Sequence, residues 1–133
     1  MATGKVLYIF INYPLSSIHA QAFLAAEAAE CAGQQARFWE MHDKLYLNQS
    51  AWADNEGALG VFLGYGQAVG LDQTAFQICL GDHDMADKVE SDLALVKQVQ
   101  VPSTPAFVID GKGITGAQPY STLQQAIDAA LNK

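Results

Sequence analysis

The chain has 133 residues, 50% of them hydrophobic and 16% charged, with a formal net charge of −7. That content suits a single globular domain with an ordinary core, and the acidic excess repels phosphate backbones, which argues against nucleic-acid binding. No apolar run is long enough to span a bilayer, and the opening run, bounded by Asn12 and Pro14, lacks the form of an export leader, so a cytoplasmic location is expected.

Residues 5–11, "KVLYIFI", are β-branched and aromatic and predict a buried strand. "YPLSSIH" breaks it, with Ser16 or Ser17 placed to cap a helix. The Ala-rich run over 18–31 predicts that helix, with Gly33 at its C-cap, and Ala22, Ala25, Ala26 and Ala29 give it a smooth face for close packing. "QARFWEMHDKLYLNQ" predicts a second helix, with Phe38, Met41 and Leu45 recurring at three-to-four spacing. A third runs to about Val69, capped by Asp54 or Asn55. Its Gly64, Gly66 and Gly70 come after no strand and lack GxGxxG spacing, so they form no nucleotide loop. Each interior glycine costs about 1 kcal/mol against alanine, so this helix is either mobile or closely packed.

Asp72 is placed to cap a short helix over "QTAFQICL". The longer "GDHDMADKVESDLALVKQVQV" comes next, with Val89, Leu93 and Val96 facing inward. Asp82, Asp84 and Asp87 lack the glycine turn and terminal bidentate Glu of a calcium loop and read as a solvated acidic helix start. No metal is expected. In "VPSTPAFVIDG", Thr104-Pro105 stands directly before an apolar run, which fits a cis bond making a tight local reversal. A strand over "AFVID", a "GKG" turn, a strand around Ile114 and a closing helix complete one domain over 1–133.

Cys31 and Cys79 are too far apart for a CxxC pair or a metal knuckle. Two readings stay open at this point, inert buried thiols or a structural bridge worth about 4 kcal/mol. His19 sits at a helix start, and His83, among acids at another, reads as a solvated cap. His42 and Asp43 are helix neighbours that point apart by roughly 100°, so they form no dyad. With no nucleophile or metal partner, all three histidines read as structural. Phe38, Trp39 and Phe107 read as core.

"YPLSSIHAQAFLAAEAAECAGQQARFWEMHDKLYLNQ", "GLDQTAFQICL", "VPSTPAFVIDG" and "ITGAQPY", in that order, resemble the DsbA-like thioredoxin-fold family of thiol-disulfide oxidoreductases. The resemblance implies an α/β, thioredoxin-like fold with a helical insertion, at about 16–100, between the first strand and a C-terminal β-hairpin plus helix. It implies that Ser103, Thr104 and Pro105 form the family's cis-proline loop, and that the helices bearing Cys31 and Cys79 are tied together. The family's CxxC opens the helix after its first strand, whereas this chain resembles the family only from the second strand onward. It therefore reads as N-terminally truncated relative to the family and without the catalytic pair. Cys31 near a helix end and Cys79 within a helix are poor places to stabilise a thiolate.

The function expected is that of a non-catalytic binding or structural module, taking an extended peptide or protein at the proline loop by strand addition, without a cofactor. The alternatives are an oxidoreductase working through Cys31 and Cys79, or a truncated product without evolved activity. Family members are often exported; in a reducing cytoplasm the two cysteines would be mostly dithiol. Loss of a central strand would leave sheet edges open. Either 5–11 slides in beside "AFVID", or two chains associate, and a homodimer buried partly through Tyr8 and Phe10 is expected.

Overall fold

A computed structural model describes residues 4–133, which divide into two compact units: 12–94, and 4–11 together with 95–133. The first unit is helical. Helix α1 (Ala22–Gly33) is followed by α2 (Phe38–Leu47), a 3-10 turn (Gln49–Ala51), α3 (Ala58–Ala68) and α4 (Gln73–Gly81). The next helix, α5 (Ala86–Gln98), begins in this unit.

The alanine face of α1 is turned from the expected one: Ala25 and Ala29 are buried, but Ala22 and Ala26 are only half-buried. Ala28 and Ala32 are fully buried, and α1 packs against α2, α3 and α4. Met41, Phe62, Phe76 and Leu80 complete the centre of this core. Gly66 on α3 has a specific role there, since a Cβ added to it would lie 2.7 Å from the buried Phe76 ring. Of the two readings of this glycine-rich helix, close packing holds at Gly66. Asp72 caps α4 as expected, its Oδ1 accepting from the Ala75 N–H at 2.8 Å.

The other caps differ. α1 begins at Ala22 behind Gln21, with no side-chain cap, because Ser16 and Ser17 lie in a turn closed by Ile18 and His19 N–H bonds to the Leu15 carbonyl. Its far end is closed not at Gly33 but at Ala36, which takes φ +57° while Arg37 N–H bonds the Ala32 carbonyl. Asn55 acts two residues before the cap position, which Gly57 fills: its Oδ1 accepts from Gly57 N–H, and Gly57 leads into α3. The acidic stretch before α5 is turn rather than helix, so α5 starts at Ala86. Val89 and Val96 are buried and Leu93 is half-buried.

In the second unit, β1 (Ala106–Ile109) and β2 (Lys112–Thr115) form an antiparallel hairpin with Phe107 opposite Ile114 and Val108 opposite Gly113. Asp110 and Gly111 turn it with φ of +50° and +77°, the pair of left-handed residues that matches strand twist. Helix α6 (Tyr120–Leu131) packs on β1. The expected strand over 5–11 is absent: among the described residues the sheet has two strands, and both belong to the hairpin. The composition of 5–11 suits a strand, but a strand also needs a neighbour in register, and β1 and β2 supply that only to each other. Leu7 and Ile9 are exposed instead, at 84% and 67%.

Candidate functional site: the proline loop

The loop from α5 to β1 is set by its two ends. Gln100, at φ +55°, ends α5, and Val101 N–H bonds the Val96 carbonyl. At the other end the Thr104–Pro105 peptide bond is cis, and the Pro105 carbonyl accepts from Gly116 N–H at 2.8 Å. Gly116 takes φ +84°, and Gln118 Nε2 donates to the Thr115 carbonyl, which fixes the chain beyond β2. Pro102, Ser103, Thr104 and Pro105 are all exposed. Among the described residues, the backbone groups of Ser103 and Thr104 make no hydrogen bond. The loop thus presents unpaired backbone polar groups immediately before β1, whose edge away from β2 carries no other strand of the described sheet.

Cys31 and Cys79 form a disulfide between α1 and α4, with Cα atoms 5.9 Å apart. Cys31 is buried at 1% exposure and Cys79 is half-buried. Of the two readings of these cysteines, the bridge is the one the fold adopts.

The thioredoxin family profile matches residues 1–129, nearly the whole chain. The chain belongs to the thioredoxin family. Its relatives include the Na(+)/H(+) antiporter NhaA 1 of Salinispora arenicola, 33% identical over 96% of this chain and 19% of that protein. NhaA 3 of Salinispora tropica is 32% identical over the same shares, and NhaA 1 of Mycolicibacterium gilvum is 30% identical over 93% of this chain and 20% of that protein. The chain spans about a fifth of the length of these curated relatives. No solved structure matches it.

Two polar clusters of this thioredoxin-family chain have no signature in the sequence, since each joins residues from distant segments. In the first, Asn12 is buried and donates from its backbone N–H and its Nδ2 to Asp92 Oδ2, both at 2.9 Å, and from Nδ2 to Glu30 Oε1 at 2.6 Å. Lys88 Nζ reaches Asp92 Oδ1 at 2.6 Å. Burial pushes the Asp92 pKa up, but the Lys88 and Asn12 hydrogen bonds and the Lys88 charge outweigh it and hold the carboxyl below its usual range. In the second, His83 is no free cap: its Nδ1 lies 3.0 and 2.9 Å from the two carboxylate oxygens of the fully buried Glu27.

The remaining predicted residues also find their places. His42 Nδ1 does meet Asp43 Oδ1, at 3.0 Å, contrary to the expectation from helix spacing; side-chain torsions close the angle that the backbone opens. Asp43 is 71% exposed, so the contact lies at the surface. His19 is exposed and its carbonyl accepts from Ala22 N–H at the entry to α1. Phe38 packs on the core, Phe107 is half-buried, and Trp39 is 44% exposed rather than core, edge-on to Phe38 and His42. Among the described residues, no group of three or more His, Cys, Asp or Glu is placed to hold a metal ion.

Proposed function

We propose that this chain is a DsbA-like thioredoxin-fold module that binds an extended peptide at Ser103, Thr104 and Pro105 without thiol chemistry of its own. The observation that carries this reading is the exposed backbone of Ser103 and Thr104, unpaired among the described residues and running straight into β1, whose far edge pairs with no other described strand. A peptide lying there gains main-chain hydrogen bonds that depend little on its sequence. The state of the cysteines supports the non-catalytic half: both are tied into one bridge inside the helical unit, and Cys31 is sealed from solvent. That bridge also favours an oxidising compartment over the cytoplasm.

Fluorescence anisotropy with a labelled, cysteine-free octapeptide tests this directly. Saturable binding is expected, and it should vanish when alternate amides of the same peptide are N-methylated. Equal binding of the methylated peptide would show that backbone pairing is not the mode.

A second reading is supported by the relatives. Nearly the whole chain aligns within a fifth of proteins named as sodium–proton antiporters. On this reading the module works beside a transporter of that kind, and its peptide is a segment of that transporter. Co-purification of the chain with such an antiporter checks it.

A further inference from the structure

The Glu27–His83 contact and the Cys31–Cys79 bridge are two rungs of one ladder. Glu27 and Cys31 stand one turn apart on α1, and Cys79 and His83 stand four residues apart at the end of α4. Both rungs join the same two segments. One is covalent and breakable by reduction; the other is a carboxylate–imidazole pair.

The local backbone is shaped for the second rung. α4 closes with Asp84 N–H bonding the Cys79 carbonyl, which places His83 in the left-handed position that glycine usually fills. His83 takes φ +57° there, and its ring turns back to meet Glu27. Glu27 needs that partner, because a fully buried carboxylate without one is strongly destabilising. An ionised carboxylate only accepts hydrogen bonds, so Nδ1 carries the proton in this contact.

We propose that the Glu27–His83 pair holds the end of α4 in place when the bridge is open, and so sets how easily Cys31 and Cys79 are reduced. With glutathione as reductant, a thiolate attacks the more accessible Cys79 Sγ, the S–S bond breaks, and Cys31 leaves as a thiolate and takes up a proton. A second glutathione thiolate attacks the glutathione sulfur of the mixed disulfide and releases Cys79, which is protonated in turn. Two electrons pass to the protein, and oxidised glutathione is the product. The reverse reaction needs the two thiols near each other. The Glu27–His83 pair keeps them so, raising their effective concentration. Without it, the reduced helix end swings away.

The test is the equilibrium between the intact chain and glutathione buffers, read by thiol alkylation and mass. His83→Asn and His83→Gly both tolerate the left-handed backbone and delete the imidazole, so they separate the pair from the turn. Each should make the bridge about tenfold easier to reduce, the scale of an ordinary coupling between two sites. Adding Glu27→Gln to His83→Gly should shift the equilibrium little further, since the pair it would break is already gone. Asn12→Ala, which breaks a different buried contact of α1, should stay within twofold of the parent. The proposal is overturned if both His83 variants match the parent within twofold, if adding Glu27→Gln to His83→Gly shifts the equilibrium as far again, or if Asn12→Ala shifts it as far as they do.

Discussion

Asp92 shows how a buried charge becomes a pH dependence. Its folded pKa lies below the ordinary 3.8, because Lys88 and Asn12 favour the ionised form more than burial opposes it. A depressed carboxylate adds stability that is present above the unfolded pKa and lost as pH falls through the folded one. Asp92→Asn should therefore be less stable than the parent at neutral pH, and the gap should narrow as pH drops below about 3.8. Urea unfolding at a series of pH values measures this; a gap that stays constant into acid would remove Asp92 from the account. Residues of this kind were not legible in the sequence. Asn12, Glu30, Lys88 and Asp92 look like ordinary polar positions until folding brings them together, whereas Asp72 was legible because its cap is made three residues away.

At the scale of the element, α3 offers an internal comparison. Replacing a helix glycine by alanine gains about 1 kcal/mol of propensity where there is room. Gly64 has room, with nothing within 4 Å of an added Cβ, so Gly64→Ala should stabilise by up to that amount. Gly66 has none. Its Cβ would stand 2.7 Å from a Phe76 ring that is fully buried, and overpacking of that kind costs about 1–3 kcal/mol, enough to reverse the sign. Chemical denaturation of the two variants should give midpoints on opposite sides of the parent. The helices were readable because their apolar spacing is local, as Met41 and Leu45 show. Their ends were not, because Ala36 adopts a left-handed turn that its composition does not announce. The stretch at 5–11 failed for the opposite reason: its local signal is sound, and the partner strand that would make it a ladder is not in the described sheet.

At the scale of the whole molecule, exposed apolar side chains argue for association with a second copy. Leu7 and Ile9 alternate along 5–11 with their side chains in solvent, and Val108 on β1 is 71% exposed. Large apolar side chains left this open favour an interface over solvent. The chain is expected to sediment as a dimer at tens of micromolar, and Leu7→Lys with Ile9→Lys should shift it toward monomer; a parent that sediments as a monomer would contradict this. No helix among the described residues is long and apolar enough to cross a membrane.

The central claim, peptide binding by the backbone of the proline loop, meets its most direct test in amide mapping by NMR. A 15N-labelled chain with the Cys31–Cys79 bridge intact, titrated with the cysteine-free octapeptide, should show its largest shifts at Ser103, Thr104 and along β1. Shifts confined to the neighbourhood of Cys31 and Cys79, or none at millimolar peptide, would contradict it.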